Sequence, residues 1–462
     1  MTSPGVLTAV LLALLLPTWP AQPAGDPHRA FARDLLRELI EINTTESVGT
    51  TTAAEAMAAR LEAAGFPDAD VRVVGPNDRK KNLVTRLRGS GARRPLLLLA
   101  HLDVVDARRE DWSMDPFAFT ERDGYYYGRG TTDDKAQAAI WIANLIRYRQ
   151  ERFVPDRDLI VALTADEEGG DANGVRWLLA NHRELIDAEF CLNEGGGGQI
   201  IDGRYVLNEL QASEKVYQSF RLEVTDSGGH SSLPTQANAI HRLARGLSRL
   251  GEFEFPVQLN AVTRAFFERS AQLQTGEVAA DMAAVVRDPP DAGAARRLSQ
   301  TPFFNAQLRT TCTPTQLQGG HAENALPQLA RAIVNCRMLP GSNPADVQRT
   351  LEKVIGDPQI GISPVAQATP SAASPLRPDL MEPLERITRE MWRVPVVPVM
   401  LTGATDGLFL RNAGVPTYGV SGVFEDIKDV RAHGRDERIG IKQFHEASEF
   451  LYRLVKALGG KR

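Results

Sequence analysis

Residues Leu96-Leu97-Leu98-Leu99-Ala100 form an unbroken apolar run directly after Pro95. A strand with one face in water alternates apolar and polar residues, so a continuous run reads as a strand covered on both faces, as in parallel sheets flanked by helices. The run stops at His101-Leu102-Asp103. Two further apolar stretches end in the same manner. Leu159 to Leu163 leads into Thr164-Ala165-Asp166-Glu167-Glu168-Gly169-Gly170, and Glu189 to Leu192 leads into Asn193-Glu194 and four glycines. Helical patterns separate them, over Ala136 to Ile146 and over Val175 to Ala180. Strands alternating with helices predict an α/β domain with a mostly parallel sheet, whose sites form outside the carboxyl ends of strands. His101, Glu167 and Glu194 stand at such ends.

Ahead of this block, apolar residues from Phe31 to Ile42 and the stretch Ala54 to Ala63 have helical spacing, while Val71 to Val74 and Asn82 to Leu87 read as short strands. At Lys215 the pattern changes. Ser219 to Val224 alternates like a half-exposed strand, His230 lies in a glycine-flanked turn, Ala237 to Leu250 is helical, and Ala332 to Cys336 is a strand bounded by Pro340-Gly341. These features predict an inserted α+β lid over residues 215–340, dividing a catalytic domain into 25–214 and 341–462. After it come a helix over Pro344 to Val354, a Pro/Ala/Ser-rich linker near Ser363 to Pro375, a helix over Leu384 to Trp392, the segment Gly403 to Gly407, and a final helix over Lys442 to Leu458. A chain of 462 residues, 43% hydrophobic, can bury cores of this extent.

A formal net charge of −5 gives no bulk attraction to nucleic acid or to an anionic membrane, and neither is expected as a partner. Val6 to Leu16 is a short apolar core followed by small residues at Ala21, Ala24 and Gly25, which resembles a signal peptide over residues 1–24 and implies a secreted or periplasmic protein. A disordered extension is the competing reading, and the core is too short to span a bilayer comfortably. Of the three cysteines, Cys191 suits a buried thiol, and Cys312 with Cys336 could pair in an oxidising compartment.

Zinc prefers imidazole together with carboxylate, and two cations held close need an anionic bridge between them. His101, Asp133, Glu168, Glu194 and His433 supply such a set. Asp103, two residues past His101, suits an acceptor that fixes the imidazole tautomer. Glu167, next to a ligand yet free, suits a general base for a water. Each residue also has a plain reading: a hydrogen-bonded strand-end histidine, an Asp133-Asp134 helix cap, a turn glutamate at 194, a loop histidine at 433.

The segments His101-Leu-Asp-Val-Val, Gly128-Arg-Gly-Thr-Thr-Asp-Asp-Lys135, Asp166-Glu-Glu-Gly, Asn193-Glu-Gly-Gly, Gly229-His-Ser-Ser-Leu-Pro234, Asn324-Ala-Leu-Pro and His433-Gly-Arg-Asp-Glu437 resemble the dinuclear-zinc exopeptidase family. That family includes glutamate carboxypeptidase, succinyl-diaminopimelate desuccinylase, aminoacylase, carnosinase and Gly-Xaa carboxypeptidase. The resemblance runs from about Phe31 to the C-terminus and departs at Ala136, where the family often has Gly.

It implies two Zn2+ per subunit, with Co2+ or Mn2+ as other candidates: one held by His101 and Glu194, one by Glu168 and His433, with Asp133 between them. It implies further that Asp103 orients His101, Glu167 moves protons, and His230 polarises the substrate carbonyl, often from the partner subunit of a homodimer formed through the lid. Asn324 and Arg337 look like residues that grip a free carboxylate, although Arg337 also reads as a surface charge on an alternating strand. The implied activity is a carboxypeptidase or dipeptidase acting on a small peptide, with an N-acyl-amino-acid amidohydrolase as alternative. A non-catalytic peptide-binding protein and a phosphoesterase are remote alternatives.

Overall fold

A computed structural model describes residues 26–460. The signal-peptide expectation for residues 1–24 lies outside the described residues. At the centre of a ten-stranded sheet, strand Leu96–His101 runs parallel to Leu159–Thr164 on one side and to Phe190–Asn193 on the other. Their side chains sort by parity, as pleating requires. Leu96, Leu98, Leu159, Val161, Leu163 and Phe190 enter one core, and Leu97, Leu99, Ile160, Ala162 and Cys191 enter the other. Helices cover both faces, which is why no polar residue interrupts these strands. Burial of each Leu, Ile, Val or Phe among them contributes roughly 1.5–3 kcal/mol.

The larger core packs helices Pro27–Glu41, Lys135–Gln150, Pro378–Trp392 and Ile441–Gly459 against one face. Helix Lys135–Gln150 lies beneath outer helices as well as on the sheet, so Trp141 is fully buried and donates its indole N–H to the Leu99 carbonyl at 3.0 Å. Strands Asn82–Leu87 and Val71–Val74 extend the sheet antiparallel on one edge. On the other side lie Thr417–Gly419, Arg204–Glu214 and, paired with the latter, Val396–Leu401 and Gly198–Ile201.

A second, four-stranded antiparallel sheet has the order Thr311–Gly319, Leu329–Met338, Val216–Thr225, Gly361–Pro364. Phe220, Leu222, Val224, Ala332, Val334 and Met338 point into one core with helices Ala239–Glu252 and Pro344–Ile355. The packing differs from the expected 215–340 limits in two places. Helix Pro344–Ile355 and strand Gly361–Pro364, which follow residue 340, belong to this second core. The helices from Ala261–Ala271 to Pro302–Leu308, which precede it, pack Phe267, Leu298 and Leu308 against Val397 and Val399 of the large sheet. Apolar periodicity marks a buried face but does not say which sheet it covers. Cys312 and Cys336 stand opposite each other on adjacent strands and form a disulfide, while Cys191 is a buried free thiol. Among the described residues, no helix is long and apolar enough to cross a membrane.

Candidate active site

The large sheet delivers its polar residues to one region. His101 closes the central strand, Glu194 follows Phe190–Asn193, and the acidic turn 166–168 follows Leu159–Thr164. Asp133 lies just before helix Lys135–Gln150, and His433 in the loop leading to strand Arg438–Gly440. Asp133 divides its carboxylate: Oδ1 is 2.8 Å from His101 Nε2, and Oδ2 is 3.1 Å from His433 Nε2. Glu194 Oε2 lies 3.7 Å from the same atom of His101, and Glu168 Oε1 lies 2.7 Å from that of His433. Two three-residue groups result, His101-Asp133-Glu194 and Asp133-Glu168-His433, each with its ligand atoms within 4.8 Å of one another.

The hydrogen bonding tests whether these groups suit cations. His101 Nδ1 lies 2.9 Å from the Asp103 carbonyl oxygen, which can only accept, so this nitrogen carries the proton. Nε2 then faces carboxylate oxygens that can only accept, so either a second proton or a cation must stand between them. A cation relieves that conflict, and the imidazole and carboxylate donors match zinc chemistry. The same electrostatics shift the protonation of the groups. Burial disfavours a charged His101, yet Glu194 and Asp133 hold its pKa well above the histidine range. The hydrogen bond with Asp133, joined by the charge of Glu168, holds His433 up at about 9. Burial, reinforced by Asp133, pushes Glu168 up to about 7.

The acidic turn separates into three roles. Asp166, at φ +55°, forms a buried ion pair with Lys80 and accepts from the Ala172 amide at 3.2 Å, which bends the chain. Glu168 turns to His433. Glu167 lines the cavity and is driven to a strongly raised pKa by burial and then by Glu194. Asp103 acts differently from expectation. Its Oδ1 and Oδ2 accept the amides of Glu167 at 3.1 Å and Glu168 at 3.0 Å, so the carboxylate fastens the acidic turn. The ring of His101 is oriented by the Asp103 backbone carbonyl, with the carboxylate 3.8 Å away.

Two functional residues that sequence reasoning misses are Glu437 and Arg129, which lie in the segments of His433 and Asp133. Glu437, fully buried, accepts from the Thr132 amide at 2.8 Å, the Thr132 hydroxyl at 2.9 Å and the Asp133 amide at 3.3 Å. Only the fold could reveal them, because residues 129 and 437 meet across a separation of 308.

A cavity of about 480 Å3 adjoins the cluster at Glu167 and Glu168 and reaches Tyr217, Arg337 and the segment Gly403 to Asp406. The Arg337 guanidinium lies 4.7 Å from the centre of the Tyr217 ring. Asp406, held by Asn173 Nδ2 at 2.6 Å, has its pKa pushed up to about 7 by burial and by Asp103 and Glu194. His230 and Asn324 lie elsewhere. His230 pairs with Ala325 on an exposed turn of the second sheet's unit, its Nδ1 2.7 Å from the Ser232 hydroxyl, and Asn324 is joined to the same turn by the Ser231 amide at 3.0 Å. Both are exposed and neither lines the cavity.

The model of peptidase family M20/M25/M40 matches residues 97–457. The human N-fatty-acyl-amino acid synthase/hydrolase PM20D1 is 27% identical over 374 residues, 78% of this chain and 74% of that protein. The probable carboxypeptidase S-like 2 of Dictyostelium discoideum is 30% identical over 378 residues, 79% of this chain and 71% of that protein. Among solved structures, an M20 family metallo-carboxypeptidase from Sulfolobus solfataricus superposes with a TM-score of 0.68 at 17% identity, covering 93% of this chain and 99% of that one.

Proposed function

Since the chain belongs to peptidase family M20/M25/M40 and is thereby a hydrolase, we propose that it is a zinc-dependent carboxypeptidase or dipeptidase that cleaves an amide bond next to a free carboxylate. The observation that carries this reading is Asp133, whose two oxygens are divided between His101 and His433 while Glu167 stays free beside them. His101, Asp133 and Glu194 would hold one zinc ion and Asp133, Glu168 and His433 the other. When bound, such a pair supplies Lewis acidity to the carbonyl and lowers the pKa of water toward neutrality.

The chain's own groups do the rest. Glu167, as the carboxylate, takes a proton from the attacking water and returns it to the leaving amine, and its burial raises its affinity for that proton in between. Asp103 keeps that carboxylate in place through the Glu167 amide. Arg337, across the cavity, presents a planar donor fork to the substrate carboxylate. His230, with Asn324 beside it, would reach the carbonyl from the partner subunit of a homodimer, in keeping with its exposed turn. Similarity to the human N-fatty-acyl-amino acid enzyme supports a second reading, hydrolysis of N-acyl amino acids, which uses the same amide and the same carboxylate. Export from the cytoplasm accords with the Cys312–Cys336 disulfide.

The test is incubation of zinc-loaded protein with a mixed library of dipeptides and N-acyl amino acids, with products read by mass spectrometry. Release of a carboxyl-terminal amino acid is expected, with greater release from peptides if the first reading holds. No cleavage of any library member by metal-replete protein would refute both.

A further inference from the structure

Glu425 is a half-buried carboxylate with no hydrogen-bond or ion-pair partner among the described residues, and its two oxygens stay open to the space beside them. It stands on strand Phe424–Asp426 opposite Gln199 of the parallel strand Gly198–Ile201, but the Gln199 amide is committed to Glu209 at 2.7 Å. Arg438, with which it shares a small cavity, is paired with Asp429, and Arg129, of the loop that carries Asp133, is paired with Glu437. Burial first, then Glu437, Asp133 and Asp429, push the pKa of Glu425 up to about 7, so the charges that shift it are all negative. The group is an accessible acceptor that lacks a cation.

Glu425 borders a chamber of about 320 Å3, within the size range of small-molecule sites, that touches the metal-ligand cluster at Asp133 and Glu194. The Arg337 cavity touches the cluster at Glu167 and Glu168, and no residue lines both. A substrate whose carboxylate rests at Arg337 and whose scissile amide lies at the cluster therefore directs its amino-terminal half into the chamber. Ala136, Leu401 and Val423 give the chamber an apolar wall. A carboxylate that served the fold alone would be hydrogen-bonded, as buried polar groups are as a rule. An open carboxylate beside an apolar wall complements an ammonium group that carries a short apolar side chain, which is the amino end of a peptide.

We propose that Glu425 binds the free ammonium of the substrate's amino-terminal residue in this chamber, so that unblocked dipeptides are preferred over N-acyl amino acids. The assignment rests on the amide-hydrolase reading above and narrows it. The competing arrangement is a Glu425 that stays protonated and donates to the oxygen of an N-acyl group, which gives the opposite preference.

The experiment compares alanyl, isobutyryl and N-acetylalanyl groups attached to one accepted carboxyl-side amino acid, using zinc-loaded enzyme. Isobutyryl has the shape of alanyl with a methyl group in place of the ammonium. Wild-type kcat/KM is expected to favour alanyl over isobutyryl by about tenfold or more, the worth of one hydrogen bond to a charged group. Glu425→Gln, which keeps the size and removes the charge, should erase that ratio. A wild-type ratio near one, a ratio that survives Glu425→Gln, or a preference for N-acetylalanyl over alanyl would overturn the assignment, the last transferring the chamber to an acyl group. A second measurement needs no variant: alaninamide should inhibit the wild-type enzyme competitively at about tenfold lower concentration than isobutyramide, and equal inhibition would also overturn the assignment. If none of the three substrates is cleaved, the amide-hydrolase reading itself falls, and this one with it; cleavage without discrimination removes only the Glu425 assignment.

Discussion

Arg129 and Glu437 clasp two loops crosswise. Glu437, from the His433 loop, binds the amides of Thr132 and Asp133, and Arg129, from the Asp133 loop, donates to the His433 carbonyl at 3.4 Å. The two side chains meet at 2.6 Å and are almost wholly buried. Asp133 and His433, residues of the proposed zinc cluster, are thus positioned by an ion pair that lies outside the cluster.

Glu437→Ala should therefore weaken both the fold and the metal site. It strands the Arg129 guanidinium, a loss of about 3–5 kcal/mol for a broken buried pair, and frees the Asp133 loop, for which about 10–100-fold lower zinc affinity is expected. Glu437→Gln keeps an acceptor for Thr132 and Asp133 and should recover part of the affinity. Urea unfolding and zinc competition with a chelator check this. Wild-type zinc affinity in a destabilised Glu437→Ala protein would confine the residue to the fold.

Much of this arrangement is legible in the sequence because continuous apolar strands end in polar residues, so His101, Glu168 and Glu194 announce themselves by position. Strand Val396–Leu401 is less legible, since Pro398 cannot donate to a ladder and argues against a strand; the structure places it beside Arg204–Glu214, off the main strand path. Strand Arg204–Glu214 is hidden by Asn208, Gln211 and Ser213, polar residues buried by contacts no local pattern encodes. The two-residue spacing from His101 to Asp103 reveals nearness but not which donors claim the carboxylate oxygens. The two amides of the acidic turn claim them first.

Glu167→Ala tests proton transfer separately from metal binding. Glu167 is not among the residues grouped around the two histidines. Zinc content should stay at the wild-type level while kcat falls by about 10^2–10^4-fold, the usual worth of a positioned acid–base group. Metal analysis and steady-state kinetics on the same preparation decide it; unchanged turnover would remove Glu167 from the mechanism.

Arg337→Ala should raise KM far more than it lowers kcat. The guanidinium borders the cavity over Tyr217, away from the histidine-carboxylate groups. Loss of a charged hydrogen bond costs about 1.5–3 kcal/mol, roughly 10–150-fold in kcat/KM. Arg337→Lys should recover only part, since a point charge lacks the bidentate fork. A carboxamide-terminated substrate should be cleaved equally by wild type and Arg337→Ala. If the variant also loses the carboxamide substrate, Arg337 acts on the fold of the cavity and not on the carboxylate.

Glu209 gives a pH dependence from outside the two histidine-carboxylate groups. On strand Arg204–Glu214 its Oε1 accepts from Gln199 Nε2 at 2.7 Å, and burial, only partly offset by that bond, pushes its pKa up to about 7. The unfolded value is about 4.3. Between the two the folded chain holds a proton that the unfolded chain has released, so this group's stabilisation is full below about pH 4.3 and is lost as pH rises through 7. Glu209→Gln keeps the size, stays neutral and removes the titration. The difference in unfolding free energy between variant and wild type should accordingly move in the variant's favour from pH 5 to pH 8. Taking the difference cancels the titrations that both proteins share, including those of the metal ligands. A difference that stays constant across that range would show that Glu209 is as well solvated in the folded chain as in the unfolded one.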